Sequence, residues 1–160
     1  MDKNALEEFM MASQIALDTL NKEVANYGLL YVKLHNYHWY ISGPHFFTYH
    51  EKLEELYKLT AELYDDVAER LLMNDGTPYA TMREYLDHAT LNEGDRNNST
   101  DMMIEEIIED FKAIRKEMQE AMEQFEDGDE AIEDTFVSHI EQLEKEIWML
   151  STALGKKTKL

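Results

Sequence analysis

Only two prolines, Pro44 and Pro78, and six glycines punctuate 160 residues. So few helix breakers restrict the chain to long helices, since proline removes an interior amide donor and glycine costs about 1 kcal/mol against alanine. Between the breaks, apolar residues recur at helical spacing. Leu6, Phe9, Met10, Ser13, Leu17 and Leu20, continued by Val24, Tyr27, Leu30, Tyr31 and Leu34, predict a first helix from about Asn4 to about Ile41, stopped by Ser42-Gly43-Pro44. A second is expected from His45 or Phe46 to about Asn74, with Leu53, Leu56, Tyr57, Leu63, Val67 and Leu71 inward. Thr81 to His88 reads as one short helix, with Thr81 as N-cap and Glu84 placed as in a capping box. Ser99 or Thr100 can cap a third long helix reaching about Phe125, and EDGDE separates it from a fourth, from about Asp129 to Leu154, closed at Gly155. The fold class is all-α.

The links within the first and second pairs of long helices are short, which suits antiparallel neighbours, whereas helices two and three are separated by a long connection carrying the short helix. That topology narrows to a ferritin-like four-helix bundle or an ordinary one, in a single domain over 1–160 with short flexible termini. No cysteine is present, so disulfides, zinc ribbons and thiol nucleophiles are excluded and metal ligands must be His or carboxylate. With 34 Asp and Glu against 15 Lys and Arg, the net charge of −19 repels phosphate backbones and favours cations. Neither a basic-then-apolar leader nor a bilayer-length apolar run occurs, so a cytoplasmic protein with no membrane partner is expected.

His50 and Glu54 stand at i, i+4 on the second helix, and Asp65 and Glu69 form a second such pair. Either pair alone could be a solvated polar face. Asp65 lies 15 residues past His50, which is roughly 22 Å along the axis, so no single ion touches both pairs within one chain. The two pairs nevertheless fall within about 60° of one another around the helix. Two copies of this helix packed antiparallel about a two-fold axis would bring His50 and Glu54 of one chain to Asp65 and Glu69 of the other, giving two identical shared sites. Imidazoles with carboxylates suit iron(II), manganese or zinc.

The segment KLHNYHWYISGPHFFTYHEKLEELYKLTAELYDDVAERLL resembles the signature of the Dps family, the ferritin-like miniferritins called DNA-binding proteins from starved cells. It carries a His-Trp pair, a Gly then Phe, a His-Glu stretch twelve residues after the first ligand His, and an Asp-x-x-x-Glu-Arg ending. ATMREYL and IWMLSTALGK resemble the family too. The resemblance implies a ferroxidase that binds iron (Fe2+/Fe3+) across a two-fold interface, with His38, His50 and Glu54 from one chain and Asp65 and Glu69 from its partner. At position 54 the family often has Asp, so the longer Glu here bears on which ligand of a second iron is direct. The resemblance further implies oxidation of Fe(II), preferentially with hydrogen peroxide, and storage of ferric mineral inside a hollow homo-dodecamer that protects against oxidative stress. Trp39 would intercept stray oxidising equivalents. Asp127, Asp129, Glu130 and Asp134 fall where the family lines iron-entry pores, with Glu130 and Asp134 as pore-lining residues and the other two as outer attractors.

A DNA-compacting cage in which iron oxidation is secondary is the alternative. Its support is the C-terminal GKKTKL, whose three lysines face a strongly acidic body and imply at most weak, salt-sensitive binding. His35 is expected to pack or hydrogen-bond and His45 to cap or contact the loop. His88 and His139 are expected at the surface, and Trp148 with the ten methionines in the core. The tyrosines are likewise expected in the core, although Tyr37, Tyr40 and Tyr49 lie close enough in sequence to the ligand histidines to be tested there.

Overall fold

The computed structural model of the protein describes residues 2–160, without the side chains of residues 7–10. The expected inward positions of Phe9 and Met10 therefore lie outside the described residues. Six helices are present and no strand among the described residues: α1 (Lys3–Met10), α2 (Gln14–Tyr40), α3 (Phe46–Met73), α4 (Met82–His88), α5 (Thr100–Met122) and α6 (Glu130–Ala153). None of them is long and apolar enough to cross a membrane.

α2 and α3 form one antiparallel hairpin and α5 and α6 a second, and together they make the four-helix bundle. Leu20, Val24, Leu30 and Leu34 of α2, Leu53, Leu56 and Val67 of α3, Ile107, Phe111 and Ile114 of α5, and Phe136, Leu143 and Ile147 of α6 fill its core. α4 lies in the long connection and packs on α2. There Gly28 is required, because a Cβ at that position would come within 2.7 Å of the Tyr85 ring. Gly43, with φ +97°, makes the turn between α2 and α3.

The expected single first helix is two. α2 begins at Gln14 with Ser13 as N-cap, its hydroxyl accepting from the Ala16 amide. The reason is tertiary: Ser13 donates its backbone N–H (2.7 Å) and its hydroxyl (2.6 Å) to the carboxylate of Asp129, which holds the chain in an extended cap conformation. Asp129, expected as an outer attractor, is only 1% exposed and also accepts from the Glu126 amide at 2.9 Å. Its carboxylate is committed to joining the starts of α2 and α6.

α4 starts as expected, with Thr81 Oγ1 accepting from the Glu84 amide, although the Glu84 carboxylate reaches the Ala80 amide and not that of the cap itself. α5 ends three residues early, at Met122. Trp148 and many of the methionines are not in the core: Trp148, Met11, Met73, Met82, Met102 and Met149 are exposed, while Met103 and Met118 are buried. On α6 the inward stripe runs through Leu143, Ile147 and Leu150, and Trp148 is turned about 100° away from Ile147.

Candidate metal centre

The turn at Ser42-Gly43-Pro44 folds the end of α2 against the start of α3, which stacks the imidazoles of His38 and His50 with centroids 3.7 Å apart and planes 10° from parallel. Each ring is tied to the other residue's backbone. His38 Nδ1 meets the His50 carbonyl at 2.7 Å and His50 Nδ1 meets the His38 carbonyl at 2.8 Å. A carbonyl can only accept, so both Nδ1 atoms donate, and in the neutral form of each ring the lone pair is on Nε2. No hydrogen bond engages either Nε2 among the described residues. A ligand tautomer fixed in this way by a backbone acceptor is the usual outer support of metal-binding histidines.

Glu54, one turn beyond His50, is half-buried. It accepts from the Tyr57 hydroxyl at 3.2 Å, and Lys58 approaches at 3.7 Å. Tyr57 also packs edge-on to His38 at 5.3 Å and stacks on His35 at 3.8 Å. Burial foremost, and then the Glu54 carboxylate, push its phenol upward from the ordinary value. Sequence reasoning passed over Tyr57 as a core residue, although its place three residues past Glu54 puts it over the same face.

Asp65 and Glu69 are exposed further along α3, on the far side of the axial separation set out above, and neither has a side-chain partner among the described residues. Within one chain, no three His, Asp or Glu side chains converge on a metal position among the described residues. The structure thus brings His38 and His50 together, sets Glu54 one turn beyond His50, and leaves Asp65 and Glu69 apart. Trp39 points outward, 66% exposed, with its ring 5.6 Å from His35.

Of the three tyrosines near the histidines in sequence, Tyr37 and Tyr49 are in the core as expected and Tyr40 is exposed. Tyr37 is buried and donates to Glu106 of α5; burial and that carboxylate push its phenol up to about 12. Tyr40 lies beneath the Arg96 guanidinium, and Tyr49 is buried. His35 packs as described and bonds the Tyr31 carbonyl, His45 makes no side-chain cap bond, and His88 stacks on Tyr79 at the surface. His139 is not a surface residue: it is 1% exposed, because α6 turns it into the bundle between Tyr27 and Asp66.

A family model for the ferritin-like domain matches residues 17–160. General stress protein 20U of Bacillus subtilis (strain 168) is 44% identical over 144 residues, 89% of this chain and 99% of that protein. DNA protection during starvation protein 2 of Bacillus anthracis is 40% identical over 141 residues, 88% and 97% of the two chains. The chain belongs to the ferritin-like Dps family. Among solved Dps structures, that from Bacillus brevis superposes with a TM-score of 0.83 at 39% identity, covering 88% of this chain and 95% of that one. A Listeria innocua Dps in which two histidines twelve residues apart are replaced by glycine has a TM-score of 0.85 at 32% identity, with 89% and 96% covered. In this Dps chain His38 and His50 have that same separation of 12.

Proposed function

We propose that the protein oxidises iron(II) with hydrogen peroxide at sites shared between two chains, and retains the ferric product inside a hollow homo-dodecamer. The observation that carries this reading is the reciprocal clamp on His38 and His50, which leaves both Nε2 atoms free of hydrogen bonds among the described residues, with Glu54 one turn beyond His50. Imidazole nitrogens with a carboxylate suit a divalent transition metal. Iron(II) is the substrate. His38, His50 and Glu54 would bind it from one chain, and Asp65 and Glu69 of the partner subunit would complete the shell with hard oxygen donors that favour the ferric product. The exposure of both carboxylates and their lack of internal partners support their use between chains.

Two iron(II) ions would give one electron each to one hydrogen peroxide, so that with two protons taken from solvent the O–O bond breaks to two waters and no hydroxyl radical is released. Trp39, exposed beside the histidines, would face the partner and intercept stray oxidising equivalents. Asp127, Glu130 and Asp134 are exposed around the start of α6 and would attract iron(II) to an entry pore. Asp129, buried, is excluded from that role. Binding of DNA through the C-terminal lysines would be weak and salt-sensitive, because Lys156 is paired with Glu105 and, of that tail, Lys157 and Lys159 remain for phosphate.

Stopped-flow absorbance after anaerobic iron(II) loading tests the reading. Fast ferric growth with peroxide, slower growth in air, and a loss of ~10-fold or more in rate in His38→Ala are expected. A rate with peroxide equal to that of a protein-free control would reject it.

A further inference from the structure

Tyr27 of α2 is fully buried, and its hydroxyl lies 2.8 Å from Nδ1 of His139 on α6. Nε2 of the same ring lies 2.7 Å from Oδ2 of Asp66 on α3, the chain neighbour of Asp65. A carboxylate accepts, so His139 carries its proton on Nε2 and its Nδ1 lone pair receives the Tyr27 hydroxyl. Burial holds the imidazole below its ordinary value, and burial, then Glu23 and Asp66, hold the phenol well above its own. The resting state is therefore a neutral phenol hydrogen-bonded to a neutral base, supported from behind by a carboxylate that is 55% exposed. None of the proposed iron chemistry uses this arrangement, and it crosses three helices of the bundle.

We propose that Tyr27 is a long-range electron donor to the iron site, supplying the second electron when a single iron(II) meets hydrogen peroxide there and becoming a neutral tyrosyl radical as its proton passes to His139 Nδ1. The inference rests on iron(II) oxidation by peroxide at the site that includes Asp65. One iron(II) alone can give peroxide only one electron, which cleaves the O–O bond to hydroxide and a hydroxyl radical. With Tyr27 the electrons balance: iron(II) and the phenol lose one each, the O–O bond breaks, two solvent protons are taken up, and two waters form. The phenolic O–H bond breaks and its proton becomes the second N–H of His139, which Asp66 stabilises as an imidazolium.

The dry core makes this coupling necessary. A phenol radical cation would be a charge without solvent, so the electron leaves easily only if the proton leaves with it, and a base is already in hydrogen-bond reach. Two hydrogen bonds and one imidazole link Tyr27 to Asp66, whose chain neighbour Asp65 would hold the iron. Two other tyrosines are bonded to carboxylates that have other uses. The partner of Tyr57 is Glu54, expected to hold iron, and the Glu106 acceptor of Tyr37 is shared with Lys33 and Asn98.

The test is freeze-quench electron paramagnetic resonance on the assembled protein, loaded anaerobically with about one iron(II) per site and mixed with one equivalent of peroxide, with ferric absorbance followed in the same sample. A tyrosyl signal is expected in the native chain and its loss in Tyr27→Phe, which removes only one oxygen; circular dichroism and elution volume check that the variant folds and assembles. In His139→Phe the yield should fall several-fold and any remaining radical should show the higher g1, at high field, of an oxygen without a hydrogen bond, a change that mere loosening of the core would not produce. Iron oxidation with no tyrosyl radical, or with a signal unchanged in Tyr27→Phe, overturns the inference and leaves the proposed function standing. No iron oxidation in the native chain removes the proposed function and the inference with it.

Discussion

At the scale of single residues, the interior of this bundle holds more acid than a core tolerates in ionised form. Glu23 of α2 is fully buried, accepts from Asn26 at 3.0 Å, and leaves Oε1 without a partner. Burial foremost, then the hydrogen bond and charge of Glu117, push its carboxyl well above the ordinary 4.5. The folded chain thus keeps a proton that the unfolded chain releases, so this group costs stability increasingly as pH rises from about 4.5 towards the folded value. Glu23→Gln keeps the shape and a donor for Glu117 while removing that dependence. Its urea midpoint should exceed the native one near neutral pH, and the gap should close at about pH 4.5. A gap independent of pH would show that Glu23 is ionised in the fold. Spacing along the chain cannot reveal such a residue. Glu23 looks like any helical glutamate until Glu117 is placed beside it, and His139 likewise finds Tyr27 and Asp66 at separations of 112 and 73 residues.

Among helices, the bond between Ser13 and Asp129 decides where α2 begins. Asp129→Ala removes an acceptor from two backbone amides and one hydroxyl in a buried place, and should cost about 3 kcal/mol. Ser13→Ala, which loses only the hydroxyl, should cost about 1 kcal/mol. Thermal unfolding at one fixed protein concentration measures both, and equal effects would mean that the amide bonds contribute little. The long helices, the short α4 and most caps were legible because apolar period and capping residues are local signals. The break at residues 11–13 was not, since Met-Ala-Ser contains no helix breaker and the apolar period runs on through it. Its cause lies 116 residues away. Acid-rich EDGDE misled in the same way: one of its aspartates is a buried cap, which its composition cannot disclose.

For the whole molecule, shared sites make a prediction that no single-chain site could meet. One variant carries His38→Ala with His50→Ala and the other Asp65→Ala with Glu69→Ala, so each assembles only dead sites by itself. In a mixed dimer one site combines both lesions and the other has none. Random co-assembly at equal amounts should therefore restore roughly one quarter of native peroxide-dependent iron oxidation. No recovery in particles shown to contain both chains would place the site within one subunit. The pairing of His38 with His50 was legible because the two lie close along helices joined by a short turn.

The mutual clamp between His38 and His50 also bears on folding order. Its two hydrogen bonds span 12 residues, the shortest loop closed by any side-chain hydrogen bond between two helices among the described residues, so they can form before α5 and α6 exist, whereas the bundle contacts between distant helices must wait. A nascent subunit would then carry its nitrogen donors correctly oriented from an early stage, at the opposite end of α3 from its own carboxylates. If those donors need another chain's carboxylates, an orphan subunit can hold a metal ion weakly but cannot turn it over, and oxidation starts only where there is already a partner to share the product.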